Sequence, residues 1–205
     1  MIFRNLLCAP LTGFALTIAL PAAVFASQPE APALVVDGRP NVALIRFCVI
    51  PADIERSARF YREVLGYDVV FDGDIEHPTN RIVLGLAPEE KARFIILRSD
   101  KQIDGQDVQT IGIGLMTIDG REIPNAEMPR DNSIAAGQAM LAMRTDNMAG
   151  LVERARAFGA AITVEPVETE TARGTELELV ILDPDGVRMH VVQVLPKSED
   201  PATND

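Results

Sequence analysis

Two segments of this 205-residue chain follow one pattern, and that duplication limits what the chain can fold into more than any other feature. In the first, "VALIRFCVIPADIERSARFYREVLGYDVVFDG", Ile45, Phe47 and Val49 alternate with Leu44, Arg46, Cys48 and Ile50, the period of a strand. Asp53 then has the chemistry of a helix N-cap. Ile54, Ala58, Tyr61 and Leu65 recur on one helical face, and Gly66 offers a left-handed stop. "RIVLGL" and "ARFIILR" read as two further strands that complete the unit. The second segment, "GQAMLAMRTDNMAGLVERARAFGAAITVEP", repeats the plan. Asp146 is the expected cap, Met148, Leu151, Val152, Ala155 and Phe158 form the stripe, and Gly159 is the stop. The interval from Asp53 to Gly66 equals that from Asp146 to Gly159.

The duplication divides the chain. Residues 1–26 have one early cation, Arg4, an apolar run from Leu6 to Leu20, and small residues ending in "VFA", the pattern of a secretory signal cleaved before Ser27. The run is short for a bilayer span and is interrupted by Thr12, Gly13 and Thr17. The expectation is therefore a periplasmic or secreted protein with no membrane segment in its mature form. Residues 27–41 read as a flexible leader, 42–98 as module 1, 99–137 as a polar crossover, 138–195 as module 2, and 196–205 as a disordered tail. "IGIGLMTI" is a candidate extra strand. Its "GIG" is no dinucleotide fingerprint, since no helical pattern follows.

Charge narrows the partners. The formal charge of −11 becomes −12 once the leader, with Arg4 and no acid, is removed. An acidic body lacks the basic footprint that nucleic acid or an anionic membrane requires. Cys8 leaves with the leader, so Cys48 has no internal disulfide partner.

Paired strand-helix-strand-strand-strand modules, "SARFYREVLG" in the first and "DPDG" before the last strand of the second, resemble the vicinal oxygen chelate superfamily, which includes glyoxalase I, bleomycin-resistance proteins and extradiol dioxygenases. The resemblance covers residues 42–195. It implies an α+β fold of two fused βαβββ modules whose mixed sheets curl around a U-shaped cavity, with the helices outside. Members that use a metal take a ligand from the first and the last strand of each module. By motif those positions fall on Arg46, near Ile96, on Ala139 and on His190. Arginine stays protonated, and Ile and Ala have no donor, so no tightly bound metal and no cofactor is expected. A divalent metal held weakly by His190 with glutamates is the alternative. His77, in the turn "DIEHPTN", reads as a solvated loop residue.

Strand alternation and the resemblance together place Arg46 and Cys48, Glu176 and Glu178, and Arg188 and His190 on the cavity face, with Arg98 at its rim. Phe94, Leu141 and Met143 are expected to form an apolar floor. If "PDG" is a three-residue turn with Gly186 left-handed, Val180 lies opposite His190 and Glu178 is its diagonal neighbour. Arg46 and Arg188 suit a carboxylate or enolate, His190 with Glu178 suits proton abstraction, and Cys48 beside an arginine suits a nucleophile.

Three readings stay open at this point. One is an exported binder of a small anionic or aromatic molecule, monomeric or homodimeric. Another is a lyase, isomerase or dioxygenase, either metal-dependent or working through His190 and Glu178. The last is an interaction protein with a vestigial cavity.

Overall fold

The computed structural model describes residues 35–36, 39–40, 44–99, 102–103, 106–107, 111–124, 127–172 and 174–196. The expected signal segment and the tail beyond residue 196 lie outside the described residues. The chain divides into two units, Met1–Val42 and Ala43–Asp205. In the first, Val35–Val36 pairs antiparallel with Arg39–Pro40. All that follows concerns the second. Among the described residues no helix is long and apolar enough to cross a membrane.

Two four-stranded mixed sheets build most of this unit, which also has a two-residue antiparallel pair, Gln102–Ile103 with Gln106–Asp107. The first contains β1 (Arg46–Val49), β2 (Asp68–Asp74), β3 (Ala92–Arg98) and β4 (Gly112–Ile118), in the order β1-β4-β3-β2. Helix α1 (Ile54–Glu63) follows β1, and the short α2 (Pro78–Val83) lies between β2 and β3. The second sheet contains β5 (Met140–Arg144), β6 (Ala161–Thr171), β7 (Gly174–Leu182) and β8 (Arg188–Val194), in the order β6-β7-β8-β5, with α3 (Met148–Phe158) after β5. In both sheets the first strand runs parallel to the last and the other pairings are antiparallel. The fold is α+β with two equivalent modules.

The strand assignment of module 1 needs correcting. "RIVLGL" is no strand: Pro78 occupies the first helical turn, where its missing N–H costs nothing, and residues 78–83 coil into α2. The fourth strand is "GIGLMTI", which pairs with both β1 and β3, so the first sheet extends past residue 98. Six of its seven residues are buried. A strand covered on both faces loses the alternation that marks half-buried strands, and this one therefore read as an extra.

One core joins the modules. Phe47, Val49, Ile95, Leu97, Ile113 and Leu115 of the first sheet and Leu179, Ile181, Met189 and Val191 of the second pack in a single cluster with Phe60 and Tyr61 of α1 and Leu151 and Ala155 of α3. Each large aliphatic side chain so buried contributes about 1.5–3 kcal/mol. Leu141 and Met143 pack against this same cluster. They belong to the helix-covered side, which corrects their expected place on the cavity floor: the parity of β5 sends Met140, Ala142 and Arg144 the other way.

Caps fix the helix ends. Asp53 accepts from the Arg56 amide at 3.0 Å, as expected. In α3 the cap is Asn147, which accepts from the Gly150 amide at 2.9 Å, one residue later than the expected Asp146. The Asp146 carbonyl instead receives Gln193 Nε2 at 3.1 Å, and Gln193 Oε1 takes the Met148 amide at 2.7 Å.

The "DPDG" turn locks the modules together. Asp183 and Val187 flank a three-residue loop in which Gly186 has φ 89°, a conformation that favours glycine. Asp183 Oδ1 accepts from the amides of Asp185 and Val187, while Oδ2 accepts from Tyr61 Oη of α1 at 2.8 Å. Asp185 receives the Ala52 amide at 2.8 Å and Ser57 Oγ at 2.6 Å.

Candidate functional site

The core takes one face of each sheet, so alternate residues line the helix-free faces. Arg46 and Cys48 lie opposite Phe47 and Val49. Phe94 and Ile96 alternate with Ile95 and Leu97, Glu176 and Glu178 with Leu177 and Leu179, and Arg188 and His190 with Met189 and Val191.

On the second sheet, register places Val180 directly opposite His190 and Val192 opposite Glu178. The diagonal brings His190 Nε2 to 2.6 Å from Glu178 Oε2, with the side chains 31% and 26% exposed. In the neutral tautomer that donates Nε2–H to an ionised Glu178, Nδ1 is the ring's acceptor. Glu176, two residues away on the same face, is only 2% exposed.

Arg188 has a different employment. It is 6% exposed, and its guanidinium donates to the carbonyls of Asp131 and Ser133 at 3.3 and 3.0 Å and to Asn132 Oδ1 at 2.9 Å. A fork so engaged holds the crossover segment down and has little capacity left for a ligand carboxylate.

On the first sheet, the Arg46 guanidinium lies 5.4 Å from the centroid of Phe94. Arg46 is partly buried, and among the described residues no carboxylate pairs with it. Gly114 makes the arrangement possible: a Cβ there would come within 2.8 Å of Arg46 Cδ, 2.8 Å of Phe94 Cζ and 2.9 Å of Cys48 Sγ. Sequence reasoning missed Gly114, although alternation places both glycines of "GIG" on one face of a strand. Partial burial pushes the Cys48 thiol up from its ordinary value more than the Arg46 charge pulls it down. That is the reverse of what an activated nucleophile needs. Arg98 is exposed at the C-terminal end of β3, and His77 is an exposed residue before α2.

The first-strand and last-strand positions can now be read from register. Cys48 pairs with Gly114 and Ala142 with His190, so Gly114, and not Ile96, is the counterpart of His190 in module 1. The neighbouring pairs are Arg46 with Gly112 and Met140 with Arg188. Among the described residues no three His, Cys, Asp or Glu side chains converge as a metal site. One imidazole and a thiol whose protonated form is favoured do not fit a catalytic metal that usually takes three protein ligands. A separate cleft of about 490 Å³ at the module junction is lined by residues including Val49, Ile118, Met128, Gln138, Asp185 and Val187, none of them expected from the sequence as a site residue.

The chain is similar to several solved structures. An integron cassette protein from the mobile metagenome of V. cholerae is 21% identical over 76% of this chain and 97% of its own, with a TM-score of 0.42. Leishmania major glyoxalase I, described as trypanothione-dependent, is 18% identical over 75% of this chain and 87% of its own (TM-score 0.45). A lactoylglutathione lyase from Agrobacterium tumefaciens is 16% identical over 76% and 96% (TM-score 0.41). No curated protein matches the chain. The family description that matches covers residues 43–191, both sheets and both long helices, and the chain belongs to the Glyoxalase/Bleomycin resistance protein/Dioxygenase superfamily.

Proposed function

We propose that the protein binds a small organic anion on its helix-free face without a resident metal, with Arg46 as the anion's partner. The observation that carries this reading is the state of Arg46: partly buried, lying over Phe94, cleared by Gly114, and paired with no carboxylate among the described residues. A partly buried guanidinium free of such a partner has its fork available, and a bidentate carboxylate would fill it with two charge-assisted hydrogen bonds. Arg188, the other arginine expected to bind, is satisfied by residues 131–133.

Titration of the protein with benzoate and related monocarboxylates tests the reading. Arg46→Ala should weaken binding by about 2–4 kcal/mol, the loss expected when one partner of a buried charge pair is truncated. Affinity that is the same in the variant defeats it.

A second reading rests on the 2.6 Å contact between His190 and Glu178. A carboxylate that holds Nε2–H leaves Nδ1 as a base, and proton abstraction next to a carbonyl needs such a base together with a cation for the developing oxyanion. On this reading the protein is a lyase or isomerase of the metal-independent kind. His190→Gln would then abolish turnover while leaving anion affinity intact.

We also propose export to the periplasm or beyond, since residues 1–26 have the composition of a cleaved signal. Intact-mass measurement of the native protein should place its first residue near Ser27. A full-length chain in the membrane fraction contradicts this. The net negative charge argues against nucleic acid as a partner.

A further inference from the structure

We propose that the cleft of about 490 Å³ at the module junction is a second binding site, and that it takes an uncharged molecule carrying both aliphatic and hydrogen-bonding groups. The proposal stands independently of the Arg46 reading, because Arg46, Phe94 and Gly114 take no part in the lining of the cleft.

Three segments wall the cleft: the end of β1 with the residues that lead to α1 (49–52), residues 185–187 of the "DPDG" turn, and parts of the connection between β4 and β5. The other two walls are both tied to the turn. On one side Asp185 receives the Ala52 amide and Ser57 Oγ. On the other, Arg130 Nη2 donates to the Pro184 carbonyl at 2.7 Å, and Gln138 Nε2 donates to the Gly186 carbonyl at 3.0 Å. Met128 packs so closely on Gly186 that a Cβ added there would lie 2.5 Å from Met128 Cβ. The space between these walls is therefore preformed, and its volume lies within the range of about 300–1,000 Å³ common to small-molecule sites.

The charges in the lining already have partners. Arg121 and Asp185 are its charged residues. Arg121 holds the Glu90 carboxylate with Nε and Nη2, and Nη2 also donates to the Gly85 carbonyl at 3.1 Å. Both oxygens of Asp185 accept from the start of α1, where the helix dipole favours a negative charge. A ligand charge of either sign would give up hydration without meeting an unpaired opposite charge, a cost that a neutral molecule avoids. The rest of the lining divides between aliphatic side chains, among them Val49, Ile118, Ile123 and Val187, and polar groups such as the Thr117 hydroxyl. That mixture suits an aliphatic body with a hydroxyl or carbonyl to fix its orientation.

The test puts one ring with three charges, as cyclohexanol, cyclohexanecarboxylate and cyclohexylamine, into the protein and follows it by methyl NMR. Affinity at the cleft is read from the Met128, Val187 and Ile118 methyls, so that a carboxylate bound at Arg46 is not counted. Cyclohexanol should shift these methyls and bind there more tightly than either charged probe by about ten-fold or more. Ile123 is 40% exposed, so Ile123→Asp should fold, and the partnerless charge it brings into the lining should weaken cyclohexanol by about ten-fold. Cyclohexanol shifts that spare the three methyls, equal affinity at the cleft for a charged probe, or unchanged cyclohexanol binding in a folded Ile123→Asp protein would each overturn the inference. Should that variant fail to fold, the comparison of the three probes on the wild type decides.

Discussion

The phenol of Tyr61, on the helix of module 1, donates to the carboxylate of Asp183, in the turn of module 2, across 2.8 Å of a contact that solvent hardly reaches. Removing the hydroxyl with Tyr61→Phe leaves Asp183 short of one donor and should cost about 1–3 kcal/mol in denaturant unfolding. Asp183→Ala strands three donors, the phenol and the amides of Asp185 and Val187, and should cost more. Asp183→Asn, which keeps an acceptor for the amides, should fall between the wild type and the alanine variant.

The same contact sets an alkaline limit. Burial, and then the charge of Asp183 and its hydrogen bond, hold the Tyr61 phenol protonated well above its ordinary value of 10. The folded protein thus retains a proton that the unfolded chain gives up. The stability tied to this group is complete below about pH 10 and declines as pH rises towards the folded value. Unfolding free energy measured across this range should fall in the wild type and fall less steeply in Tyr61→Phe. Parallel curves would show that Tyr61 does not govern the alkaline limb.

Cooperativity follows from the same turn. The paired modules share one apolar cluster, and both carboxylates of "DPDG" reach α1 or the residues before it. Residues 43–196 should therefore unfold in a single transition by circular dichroism and by fluorescence of the tyrosines. Two separated transitions would mean that the modules fold independently.

Gly114→Ala should damage the site more than its size suggests. The added methyl meets Arg46, Phe94 and Cys48 at once, and Arg46 can leave only by giving up its place over Phe94. A stability loss of about 1–3 kcal/mol is expected, together with loss of anion binding. Retention of wild-type affinity would show that the guanidinium does not need that space.

The duplication made the fold legible, because amphipathic stripes and half-buried strands leave their periods in the sequence. The diagonal pairing of Glu178 with His190 was legible too, since a three-residue turn closed by Gly186 fixes the register. β4 was legible as a candidate strand but not as the last strand of module 1, because burial on both faces erased its alternation. Arg188 was placed on the correct face but its partners could not be foreseen: they are backbone carbonyls of residues 131 and 133, and a carbonyl is offered by every residue type. Gly114 was missed for a similar reason, since what matters there is the space it leaves for Arg46, Phe94 and Cys48.

Elemental analysis of protein taken directly from its native compartment decides whether His190 serves a metal. Zinc, iron, manganese and nickel should lie far below stoichiometric amounts, because no three ligating side chains converge among the described residues and His190 is already held by Glu178. Close to one equivalent of any of these metals, lost in His190→Ala, would overturn the metal-free reading.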